Sequence, residues 1–169
     1  MKFQAIASLA LITSVAFPLD SHAADVTRDE QRPAADICRP ALPAYDGRIR
    51  VRPLGLVNES SGTAFVTCAL TGHSAGRTNV IELVFMNPSA VTRSCTLVSW
   101  RASTNGGISA LGYQAGSTSM LEGYENHIRW TSAIHNGGAA YASAAISCAL
   151  SPGDGIRHVR QMFVENIGQ

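Results

Sequence analysis

The chain has 169 residues, of which 46% are hydrophobic and 15% charged, with a formal net charge of +1. That balance excludes a disordered polyelectrolyte and gives no bulk attraction to nucleic acid or to an anionic membrane. Four cysteines with no C-x-x-C pair argue against a thioredoxin-like redox centre and against the common zinc spacings.

The amino terminus carries Lys2, an apolar stretch from Ala5 to Phe17, and Ser21-His22-Ala23 before Ala24. This is the layout of a secretory signal peptide over residues 1–23, with cleavage expected after Ala23. The apolar stretch is shorter than the roughly 18 residues needed to cross a bilayer, and no later stretch is long and apolar enough, so no membrane span is expected after cleavage. The first cysteine, Cys38, lies too far from the cleavage site to carry a lipid anchor. In an exported chain an even number of cysteines favours two disulfides. Beyond the leader every basic residue is an arginine, with no lysine. The expected location is periplasmic or secreted.

Residues 24–36 are polar and charged, and Pro33 interrupts the helix-start signal of Thr27 and Glu30, so this segment is expected to be a flexible leader. Residues 37–169 then form a single expected domain with a period of two. Arg48-Ile49-Arg50-Val51-Arg52 alternates strictly until Pro53, which sets an arginine stripe against an apolar face. The stretches Thr63 to Leu70, Asn79 to Met86 and Thr92 to Trp100 are rich in strand formers. Further strands are expected at Gly107 to Tyr113, Ser117 to Leu121, Asn126 to Thr131, Ala140 to Leu150 and Ile156 to Val164.

Turn chemistry separates these runs at Thr71-Gly72, Asn87-Pro88, Asn105-Gly106-Gly107, Asn136-Gly137-Gly138 and Pro152-Gly153-Asp154-Gly155. The predicted fold is all-β, an antiparallel β-sandwich or jelly-roll-like domain of about nine short strands.

One short word occurs three times: Thr67-Cys68-Ala69-Leu70, Ser94-Cys95-Thr96-Leu97 and Ser147-Cys148-Ala149-Leu150. Cysteine and leucine two apart share a strand face, so these three sulfurs are expected to point into the core. Four cysteines allow three connectivities, and sequence alone does not choose among them. The pairing adopted as an expectation is Cys68 with Cys95 and Cys38 with Cys148.

No G-x-S-x-G, Walker, H-E-x-x-H or dinucleotide motif occurs, and nothing calls for a metal or another cofactor. His73, His127, His135 and His158 are scattered and read as separate surface or satisfied histidines. Glu122-Gly123-Tyr124-Glu125-Asn126-His127 gathers two carboxylates, an aromatic ring and an imidazole. Two glutamates three apart seldom straddle a glycosidic bond, so a solvated turn is favoured over a hydrolase site.

If the turn binds, Tyr124 and the glycine-flanked Tyr113 supply stacking surfaces while Glu125 and Asn126 supply hydrogen bonds. Trp100, opposite in parity to Cys95 and Leu97, is a further candidate on an outer face. Trp130 alternates with Ile128 and reads as core. The stripe Arg48, Arg50 and Arg52 suits an acidic ligand, but a solvated edge is the favoured reading. Asn58-Glu59-Ser60 fits the glycosylation sequon and is expected to be idle.

The leader together with the three cysteine words, the last continuing Ser151-Pro152-Gly153-Asp154-Gly155-Ile156-Arg157, resembles small exported cysteine-containing β-sandwich proteins of Gram-negative bacteria. The resemblance implies a scaffold and a compartment and assigns no activity. The functional expectation is a non-catalytic module that binds a cell-envelope or extracellular glycan or a protein partner. The alternatives are a small hydrolase using Glu122 to His127, and an inhibitor of exported proteases presenting a loop such as Asn87 to Arg93.

Overall fold

A computed structural model describes residues 24–71, 76–86, 92–102, 108–117 and 126–167. Among the described residues eleven strands form two wholly antiparallel sheets. One sheet has the order β3 (Ile49–Arg52), β4 (Gly55–Asn58), β11 (Gly155–Ile167), β6 (Gly76–Phe85) and β9 (His127–Thr131), with β1 (Ala24–Pro33) beside β4 on the same edge of β11. The other has the order β2 (Cys38–Pro40), β5 (Ala64–Leu70), β10 (Ser143–Leu150), β7 (Ser94–Ala102) and β8 (Ile108–Ser117). Two four-residue helices, α1 (Ala34–Ile37) and α2 (Ser132–His135), and a 3-10 turn at Pro43–Tyr45 complete the described elements.

Alternation decides which side chains meet between the sheets. In β5 the residues Ala64, Val66, Cys68 and Leu70 are buried, and in β10 so are Ala144, Ile146, Cys148 and Leu150. From the opposite sheet Leu56, Ile81, Leu83, Ile128, Trp130, Ile156 and Val159 join the same buried cluster. Each fully buried aliphatic side chain contributes about 1.5 to 3 kcal/mol, so this shared core holds the two sheets face to face.

Trp130 is fully buried, as its parity requires, and its indole N–H donates to the Gln114 carbonyl at 3.1 Å. Gly116 makes the room for it. A Cβ there would sit 2.4 Å from Ile128 and 2.9 Å from the Trp130 ring.

That close approach corrects one expectation. Separate strands are expected at Gly107 to Tyr113 and from Ser117, whereas Ile108–Ser117 is one strand whose Gly116 faces Ile128 and Trp130. The count rises from about nine strands to eleven. Ala140 to Tyr141 do not join β10, which starts at Ser143, and Ala142 is exposed rather than part of the apolar face.

The segment expected to be a flexible leader is also ordered from Ala24. Strand β1 pairs with β11 through ten consecutive partners, from Ala24 opposite Ile167 to Pro33 opposite His158. None of its residues is buried, so the ladder and surface ion pairs hold it without help from the core. A backbone ladder needs no apolar side chain, and hydrophobic pattern alone cannot announce such a strand.

The disulfide pairing differs from expectation. Cys38 is bonded to Cys68, and Cys95 to Cys148. Each bond joins directly opposed residues of adjacent strands, β2 with β5 and β7 with β10. The expected Cys68–Cys95 bond fails because β10 lies between β5 and β7. Both bonds brace the five-stranded sheet from its buried side.

A buried ion pair links the two sheets. Arg93, just before β7, lies against Asp154, just before β11, with Nε at 2.8 and 2.7 Å from the two carboxylate oxygens and Nη2 at 2.6 Å from Oδ1. The guanidinium also lies over the Phe85 ring, 4.5 Å from its centroid.

Candidate functional site

The outward positions of the five-stranded sheet follow from the same parity that buries its cysteines. On β7 they are Ser94, Thr96, Val98 and Trp100, and on β8 Leu111, Tyr113, Ala115 and Ser117. On β10 they are Ser143, Ala145, Ser147 and Ala149, and on β5 Phe65, Thr67 and Ala69. None of these outward side chains is charged. The edge strand β2 adds the exposed Arg39 opposite Thr67, so charge is confined to that edge. A protein surface is normally rich in charge, and the uncharged outward positions of these four strands are a candidate contact surface.

The register places Trp100 opposite Leu111 and Val98 opposite Tyr113, which makes Trp100 and Tyr113 diagonal neighbours on this face. Tyr113 is 69% exposed, Leu111 49% and Phe65 44%, while Trp100 is half-buried. Three strand spacings and a four-residue displacement separate Phe65 from Tyr113, about 20 Å in all. Between them runs a floor of alanine, serine and threonine. Phe65, Thr96, Ala115, Ser117, Ser147 and Ala149 border a depression of about 400 Å³ there. At its margin the Tyr45 ring lies 5.9 Å from the Phe65 ring, with the Arg48 guanidinium 5.5 Å over Tyr45.

The six-stranded sheet turns a different surface outward. Arg160, Glu82 and Arg129 occupy one rung across β11, β6 and β9, and His158, Val84 and His127 the next. With Gln31 and Arg157 they line a groove of about 690 Å³. Glu82 meets Arg129 at 3.3 Å and Arg160 at 3.2 Å. Arg160 also reaches Asp29 on β1 at 2.6 Å. That bond, aided by Coulomb attraction, holds the Asp29 carboxyl below the ordinary carboxylate range and raises the Arg160 guanidinium further.

The other candidate residues divide as follows. Asn126 is buried at the entry to β9, where its carbonyl accepts the Phe85 N–H at 2.9 Å, so it is not on the face that holds Trp100 and Tyr113. Glu122, Tyr124 and Glu125 lie outside the described residues, as do His73 and residues 87–91 of the loop considered for inhibition. Arg93, at the end of that loop, is buried.

Within the arginine stripe, Arg52 pairs with Glu59 and the Arg48 guanidinium donates to the Thr63 carbonyl at 3.3 Å, while Val51 is exposed and only Ile49 of the opposite parity is buried. Asn58 is fully buried, with its amide donating to the Gly62 and Leu150 carbonyls at 2.8 Å each. It holds a turn and is inaccessible to a glycan.

Sequence reasoning treats His127 and His158 as unrelated, and the register brings them to one face on either side of Val84, with β6 between their strands. The legible signal was the pair Arg157-His158, two cationic residues in succession where strict alternation allows one outward. No family model matches this chain, and neither does any curated protein or solved structure, so its function is argued from these two faces alone.

Proposed function

We propose that the protein is an exported, non-catalytic binding module whose five-stranded sheet receives an uncharged glycan on its outer face. The observation that carries this reading is the diagonal placement of Trp100 and Tyr113 among outward side chains of β5, β10, β7 and β8 that carry no charge. Sugar rings present apolar C–H patches to aromatic rings and hydroxyls to serine and threonine, and this face offers both. A flat floor of small side chains admits an extended chain of several rings.

Charge complementarity favours a neutral polymer, since an acidic one would find no guanidinium among the outward positions of these four strands. Two disulfides in the sheet that bears the face suit an oxidising, extracytoplasmic setting, periplasmic or secreted.

The test is affinity electrophoresis through gels containing soluble neutral polysaccharides, paired with tryptophan fluorescence. Retardation by a neutral polysaccharide is expected, with loss of retardation in Trp100→Ala and in Tyr113→Ala. Fluorescence changes on binding should vanish in Trp100→Phe, because Trp130 is sealed in the core. No retardation by any neutral polysaccharide, combined with a concentration-dependent dimer that Tyr113→Arg dissolves, would assign the face to a second copy instead.

A further inference from the structure

The outward positions of the five-stranded sheet fall on rungs that differ in chemistry. One rung runs Thr67, Ser147, Thr96 and Ala115 across β5, β10, β7 and β8, so three hydroxyls stand side by side. On one side of it the next rung begins with Phe65 opposite Ala149. On the other side the next rung runs Ala69, Ala145, Val98 and Tyr113, and Trp100 stands one rung further, opposite Ser143 and Leu111.

Phe65 and Tyr113 therefore mark the two ends of a diagonal, one rung to either side of the hydroxyl row. Its midpoint falls on that row between β10 and β7, where Ser147 and Thr96 stand opposite each other. Both end rings are exposed, and Phe65, Thr96 and Ser147 border one depression. The order along the diagonal is ring, hydroxyl pair, ring, with Tyr45 beside the first ring and Trp100 beside the second. Arg39, the charge at the β2 edge, lies off this line. Its guanidinium donates to the Ala35 and Cys38 carbonyls at 2.8 and 2.7 Å.

We propose, resting on the glycan reading of Trp100 and Tyr113, that the face binds a linear uncharged polysaccharide along this diagonal, with Phe65 as its second anchor. Chain length is then what the site reads. A single sugar ring covers one end of a path about 20 Å long and leaves the other bare. Once one end of a longer chain is seated, the contact at the other end forms within the complex, so the spanning chain binds more tightly than a short one. The aromatic rings take the apolar faces of sugars at the two ends, and Ser147 and Thr96 share hydrogen bonds with the hydroxyls of those between. A compact, branched saccharide reaches only one end.

The experiment is calorimetric titration of the full mature chain with linear β-1,4-linked glucose and N-acetylglucosamine oligomers, from the disaccharide to the hexasaccharide. In at least one series the hexasaccharide is expected to bind about tenfold more tightly than the trisaccharide. In Phe65→Ala the two should bind alike, at the affinity of the trisaccharide for the unaltered protein, and that retained affinity shows the variant to be folded. Phe65→Trp should restore the gain, and Trp100→Ala should weaken every oligomer.

Equal affinities for trisaccharide and hexasaccharide, or a gain with length that survives Phe65→Ala, would overturn the diagonal course, while binding that still depends on Trp100 would leave the glycan reading standing. Absence of binding by every oligomer, or binding indifferent to Trp100→Ala, would end both.

Discussion

The two outer faces are laid on similar antiparallel ladders and differ in what a partner would have to displace. On β5, β10, β7 and β8 the outward side chains are small, hydroxylated, aliphatic or aromatic, and water leaves such a surface at little electrostatic cost. On β11, β6 and β9 two rungs and the residue between them supply three arginines, a glutamate and two histidines, with Arg129 and Arg160 held by Glu82 and Arg160 also by Asp29. Removing water there is unfavourable unless the incoming group brings charge of its own. The difference teaches that one sandwich can offer two unrelated chemistries because strand parity isolates them on opposite sides of a common core.

The comparison depends on the sheets staying locked together, and the largest effects are expected where that lock is broken. Arg93→Ala leaves the Asp154 carboxylate buried beside an empty space, so a loss of about 3 to 5 kcal/mol is expected in urea denaturation. Replacing Cys95 and Cys148 together by alanine removes a cross-link that spans 53 residues and should cost about 4 kcal/mol in the same measurement. A non-reducing peptide map should recover Cys95 joined to Cys148 and Cys38 joined to Cys68.

Smaller effects separate the faces. On the charged side, the hydrogen bond from Arg160 keeps Asp29 below its ordinary value of 3.8. A carboxylate depressed in the folded state contributes stability that is intact above its unfolded value and is lost as pH falls through the folded one. Strand β1 should therefore lose hydrogen-exchange protection when the pH is taken below that ordinary value, before the core strands β5 and β10 do. On the uncharged side, Tyr113→Ala should change unfolding stability by no more than about 0.5 kcal/mol, because its ring is mostly in solvent. A larger loss would mean that the ring supports the fold and is not held ready for a ligand.

Much of this architecture is legible in the sequence, and the misses have definite causes. Parity alone buries Cys68, Cys95 and Cys148, places Trp130 in the core and puts Trp100 on an outer position. Parity cannot say which strands are neighbours. The disulfide pairing was misread for that reason, since β10 enters between β5 and β7 from far along the chain. Strand β1 was missed because its ladder to β11 owes nothing to apolar side chains. Separate strands were expected at Gly107 to Tyr113 and from Ser117 because the use of Gly116 as space for Trp130 becomes visible only once β9 is packed against β8. The groove lined by Arg129, Arg157 and His158 stayed hidden because the bulge at Arg157 departs from the alternation that made the other strands readable.

The central claim is that the uncharged face, and not the charged one, receives a neutral glycan. Amide chemical-shift mapping during titration with soluble neutral oligosaccharides of the β-glucan and chitin series tests it most directly. The account predicts shifts on Thr96, Val98, Trp100, Leu111 and Tyr113 with β11 left unmoved. Shifts confined to Arg129, Arg157 and His158, or none on either face, would contradict it.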